Sequence, residues 1–160
     1  MSNNTKKYEL TDETKMFMGR RVYRIRALRD IPYYNVKAGD LGGWIEKNSN
    51  LSHKGSCWIS GSALVFGNAR ISGHALVSEF AWVSDDARVS GHAQVSGDSY
   101  IYGGARVSRY AQVFSDAEVS GCARVTGHAQ VSGVAQISGI AKISGYTWIS
   151  AGTYLFGAIA

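Results

Sequence analysis

Residues 87–113 read ARVSGHAQVSGDSYIYGGARVSRYAQV, and their six-residue beat decides the fold. Val89, Val95, Ile101, Val107 and Val113 stand six apart, and two residues before each sits a small one: Ala87, Ala93, Ser99, Ala105 and Ala111. Followed outward, the beat runs from Ile59 to Leu155 through 17 aliphatic residues without a miss, and the small position runs from Cys57 to Thr153. An α-helix returns its apolar residues every three or four positions, so this spacing excludes one. A sustained period of six belongs to a parallel β-helix.

Residues two apart in a strand point the same way. The small residue and the aliphatic therefore point inward together, and their neighbours point out. The frequent Gly after Ser lets the backbone turn. Each unit reads as a short strand plus a corner, and three units close a triangular coil of 18 residues. At a rung spacing of about 4.8 Å, roughly six coils between Trp58 and the C-terminus make a prism about 28 Å long. The expected architecture is all-β: a capping segment over residues 1–44 and a β-helix over residues 45–160.

The 160 residues suffice for one domain with a real core. No apolar leader follows Met1 and no run approaches a membrane span, so a cytoplasmic protein is expected. Cys57 is expected inward and Cys122 outward, in different columns, which argues against a disulfide and suits a reducing compartment. Net charge is +5. Residues 1–40 hold nine Lys/Arg against five Asp/Glu, and the remainder hold eight against seven, so the excess is mainly N-terminal. Such an excess points to an anionic partner.

The polar start, residues 1–7, is expected to fray. Thr11-Asp12-Glu13 predicts a short helix to Met18 with Thr11 as its cap, ended by Gly19. Val22 to Leu28 alternates and predicts a strand. Asp30-Ile31-Pro32 and Ala38-Gly39-Asp40 predict turns. Ile45, Ser49 and Leu51 predict a first, irregular coil. Leu51 to Ile59 is eight residues, so two extra ones bulge near His53-Lys54. The segment before it covers the upper edge of the helix, which otherwise exposes unpaired backbone groups. The lower edge, near Ile159, is expected to be covered by another subunit.

The repeat resembles the hexapeptide-repeat, left-handed β-helix family, over about two thirds of the chain. Left-handedness is what the resemblance implies, against the usual crossover rule. The stretch from Gly19 to Asp30, followed by Val36 to Glu46, is similar to the opening of phage- and prophage-encoded hexapeptide-repeat proteins, which carry a transferase label on the strength of the repeat alone. That resemblance spans nearly the whole chain and implies a phage or bacterial source.

With 18 residues per coil the outside reads column by column. One face places Arg70, Arg88, Arg106, Arg124 and Lys142 in a single stripe. Beside it run Ser72, Ser90, Ser108, Thr126 and Ser144, and at the next corner His74, His92, Tyr110, His128 and Tyr146. A second face carries Trp58, Leu76, Gln94, Gln112, Gln130 and Trp148. The third carries Leu64, Trp82, Tyr100, Glu118, Gln136 and Tyr154, with Phe66, Tyr102 and Phe156. This aromatic face is assigned to a subunit contact or to packing by the N-terminal segment, with cross-strand aromatic stacking within the chain as the competing reading. Guanidinium, hydroxyl and imidazole groups together suit phosphate or carboxylate. The candidate ligand-binding residues are Arg70, Arg88, Arg106, Arg124, Lys142, Ser90, Ser108, His74, His92, Tyr110 and His128. A solvated stripe that deters edge aggregation, or a subunit contact with Asp85, Asp86, Asp98 and Asp116, are the competing readings.

Hexapeptide acyltransferases use a His base and bind acyl-CoA between subunits, beside loops that project from the coils. Here no insertion interrupts the repeat, and no carboxylate neighbours a His to orient it as a base. The γ-class carbonic anhydrases of the same fold hold zinc with three histidines, but five residues past His128 stands Gly133. No catalytic residue, metal or cofactor is assigned. The expectation is a non-catalytic, phage-type binding protein, self-associated as a trimer. It takes a nucleotide or nucleotide-derived signal, or a host defence protein, to inhibit host defence. An acyl-CoA-dependent acyltransferase and a structural virion component are the alternatives.

Overall fold

The structure is a computed structural model and describes residues 6–157. The repeat winds as read. Strands of two residues stack in parallel with partners 18 positions apart, as in Arg88↔Arg106, Gln94↔Gln112 and Tyr100↔Glu118. They form three sheets, one per face of the prism. Inside, Ile59 to Ile143 and the alanines beside them are all but fully buried. Where the small position is polar, its hydroxyl turns back on the chain. Ser99 Oγ donates to the Ser96 carbonyl at 2.7 Å and Thr147 Oγ1 to the Ser144 carbonyl at 2.6 Å. Ser99 is fully buried, and its hydroxyl, satisfied in this way, escapes the cost of an unpaired donor.

The corners need left-handed backbone. Gly91 has φ +65°, and a Cβ there would lie 2.7 Å from the Arg109 amide nitrogen of the next coil. Glycine at that corner therefore relieves both torsional strain and a stacking clash.

The N-terminal part departs from expectation. Residues Tyr8–Phe17 are a strand, β1, not a helix from Thr11 to Met18. It pairs antiparallel with β2, Arg20–Ala27, through a tight turn in which Met18 and Gly19 both have positive φ. That turn suits the twist of a two-stranded hairpin. The Thr11-Asp12-Glu13 signal is local but not helical. Thr11 Oγ1 accepts from the Glu13 amide at 3.2 Å, within the register shift between Leu10 and Thr14. Cap chemistry thus serves a bulge. The strand expected from Val22 to Leu28 lies in β2 except for Leu28, which follows its end.

Strand β3, Leu41–Ile45, pairs antiparallel with β2 and parallel with the rung Leu64–Val65. Cap and solenoid therefore share one sheet, and a boundary at residues 44/45 falls inside β3. Leu51 bridges Ile71, a separation of 20, so the two extra residues lie where the spacing put them. Of the segment expected to fray, residues 1–5 lie outside the described residues. Lys7, by contrast, is fully buried in the top of the first coil. The lower-edge expectation at Ile159 also lies outside them. Among the described residues, no helix is long and apolar enough to cross a membrane.

Candidate functional site: the basic face

The stripe exists. Arg70, Arg88, Arg106, Arg124 and Lys142 are direct partners on successive rungs of one five-stranded sheet, and all five are exposed. Their spacing follows from the backbone, because each rung repeats the last. None of the five has a carboxylate partner among the described residues. Two unit charges about 5 Å apart repel by roughly 1 kcal/mol in bulk water and about 3 kcal/mol at an effective dielectric of 20. The face therefore gains from an added anion.

The N-terminal cations behave differently. Arg20 pairs with Glu46 at 3.0 Å, Arg24 with Glu13 at 3.4 Å, and Arg26 with Glu9. Three of the N-terminal arginines are thus held by carboxylates, whereas the cations of the stripe are not. The acids suggested as subunit partners of the stripe are partly engaged as well. Asp85 Oδ2 accepts from the Gly103 amide at 3.0 Å, and Asp86 Oδ1 accepts from Asn68 Nδ2 at 3.3 Å.

Beside the stripe, Ser72, Ser90, Ser108 and Thr126 are half-buried. At the next corner the rings of His74, His92, Tyr110, His128 and Tyr146 stack face to face. Their centroids are 4.8–4.9 Å apart, and the last three pairs lie within 4° of parallel. The faces of His92, Tyr110 and His128 are covered by their neighbours, which leaves their ring edges to a ligand, whereas Tyr146 at the end of the column is highly exposed. Tyr33 caps the column, stacked on His74, with its hydroxyl 3.0 Å from His92 Nδ1. Tyr34 donates to the His74 carbonyl, and burial pushes its phenol up to about 12. His74 and His92 thus pack under the 32–34 loop, whereas Tyr110 and His128 are exposed. His74 Nδ1 is buried without a hydrogen-bond partner.

The upper end of the stripe opens into a groove of about 620 Å³, lined by Asn48, Ser49, Leu51, Ser52, His53, Arg70, Ile71, Ser72, Arg88 and Ser90. Its volume is in the range of small-molecule sites. Arg70 and Arg88 also border a smaller hollow of about 250 Å³ with Ser49, Asn68 and Asp86. Ser49, Ser52 and His53 were not among the candidate ligand-binding residues, because they belong to the irregular coil outside the regular columns. His53 Nδ1 accepts from the Lys7 amide at 3.1 Å, and its ring stacks on Tyr8 at 4.2 Å. Burial, then the nearby cations Lys7, Lys6 and Arg29, hold its imidazole below the usual histidine range. Arg109 was also missed. It occupies, at φ 59°, the corner that is Gly73, Gly91 and Gly127 in neighbouring coils, and it adds an exposed cation beside Ser108. The break in that glycine column was its signal.

The aromatic face is partly accounted for. Phe17 of the hairpin packs edge-on against Phe66 and Trp82, at 5.4 and 4.6 Å, and Trp82 lies 4.6 Å from Tyr100. Its upper part is therefore covered by the N-terminal segment. Among the described residues no group of three or more His, Cys, Asp or Glu is placed to hold a metal ion. No protein-family model matches the chain, and no curated protein matches it.

Proposed function

We propose that this is a non-catalytic binding protein whose basic face takes an anionic ligand, a nucleotide or nucleotide-derived signal. The observation that carries the reading is the register of five cations without carboxylate partners, opening at Arg70 and Arg88 into a groove of about 620 Å³. Phosphate oxygens accept from guanidinium forks, while Ser72 and Ser90 supply hydroxyls at the groove wall. The resemblance of residues 19–30 and 36–46 implies a phage or bacterial source, and sequestration of the ligand away from host defence is the purpose that the reading adds. Binding rather than turnover is the reading we take for the stacked histidines, none of which pairs with a carboxylate among the described residues.

Thermal unfolding against a panel of mononucleotides and cyclic dinucleotides tests this. At least one is expected to raise Tm, and the double substitution Arg88→Glu with Arg106→Glu is expected to abolish the shift. Absence of a shift with every nucleotide, together with a host protein retained through purification, would transfer the face to inhibition of a protein partner.

A further inference from the structure

The fully buried Lys7 and Cys57 form a pair outside the basic face. Lys7 Nζ lies 3.2 Å from Cys57 Sγ, and it donates to the Cys57 carbonyl at 2.6 Å and the Gly55 carbonyl at 3.4 Å. No carboxylate partners it among the described residues. A buried ammonium without a counter-ion is costly, and such a group sheds its charge or draws on an anion nearby. Burial does hold the Lys7 amine below the usual lysine range, with the Cys57 sulfur opposing. The Cys57 thiol is an ionisable acid in contact with it. The neutral amine, which burial favours, is a nucleophile set 3.2 Å from the sulfur.

We propose that Lys7 and Cys57 are an oxidative cross-linking site, joined through a sulfur–nitrogen bond when a peroxide reaches the pair. In the first step peroxide oxidises the Cys57 thiol to sulfenic acid and is reduced to water. In the second the Lys7 amine attacks the sulfur, the S–O bond breaks as S–N forms, and the hydroxyl leaves with the amine proton as water. Sulfur loses two electrons, peroxide gains them, and the protein loses two hydrogens. Sulfenic acids condense with neighbouring nitrogens in this manner, and thiols reverse the product. The bond would tie the N-terminal strand to the first coil across 50 residues of chain, closing a loop in the unfolded state and raising stability.

The test uses the full chain with Cys122→Ser, which removes the exposed thiol. Hydrogen peroxide treatment is expected to yield a linked peptide pair containing Lys7 and Cys57, lighter by about 2 Da. The link should be cleaved by dithiothreitol, and the linked protein should have a higher Tm. Lys7→Met and Cys57→Ala should each abolish the link. Cys57→Ala restores the residue found at most equivalent positions, so its fold is secure. Cys57 recovered as sulfinic acid without a link, a bridge retaining an oxygen, or an unreacted Cys57 after global oxidation would overturn the proposal.

Discussion

At the residue scale, most side chains here repeat a neighbour one coil away, and the informative ones break a column. His53 lies in the irregular coil, and its Nδ1 is an acceptor for the Lys7 amide. Protonation removes that acceptor. Its pKa is lowered in the folded state by burial and by Lys7, Lys6 and Arg29. Between the folded value and about 6.5 the unfolded chain binds more protons, so stability rises with pH across that window and falls as the medium is acidified through it. Denaturant midpoints measured from pH 7 down to pH 5 should show this slope, and His53→Asn should flatten it. An unchanged slope in the variant would place the titration elsewhere. His53 was legible only as part of a bulge. What surrounds it comes from Lys7, 46 residues earlier, and no local pattern encodes that contact.

At the scale of the element, the six-residue unit is a two-residue strand with a left-handed corner, and the cost of changing a corner depends on the coil beneath it. Gly91 and Gly145 have nearly the same φ, +65° and +66°. A Cβ at Gly91 meets the Arg109 backbone at 2.7 Å, whereas one at Gly145 meets nothing within 4 Å among the described residues. Gly145→Ala is expected to cost about 1–2 kcal/mol, the left-handed penalty alone. Gly91→Ala should cost more, because a stacked coil must also shift. Equal losses in urea unfolding would show that coils slide freely past such a contact. The hairpin shows the opposite limit of local reading. Thr11, Asp12 and Glu13 carry helix-start chemistry, yet β1 is a strand because pairing with β2 and the packing of Phe17 on Phe66 and Trp82 outweigh a one-turn preference.

At the scale of the whole molecule, charge is segregated. Arg20, Arg24 and Arg26 of the N-terminal hairpin each pair with a carboxylate, whereas the solenoid stacks five cations in one stripe. A stripe kept for binding should weaken the free protein. Arg106→Gln, in the middle of the row, is expected to raise stability at low ionic strength by about 1 kcal/mol, or about 2–4 °C in Tm. The gain should shrink as salt screens the row. A loss of stability, or a gain indifferent to salt, would mean that the row does not repel itself and would remove the main physical support for an anion site.

The winding, the three faces, the buried columns and the single row of cations were all determined by the sequence alone, because a six-residue period taken three times leaves each side chain one place to stand. The hairpin at Tyr8–Phe17, the pairing of Arg20, Arg24 and Arg26 with Glu46, Glu13 and Glu9, and the groove that residues 48–53 build over Arg70 and Arg88 were decided by the tertiary structure. So was the meeting of Lys7 with Cys57. These features join segments without a shared period, and what selects them is the burial and hydrogen bonding available when one end of a regular prism is closed by irregular chain.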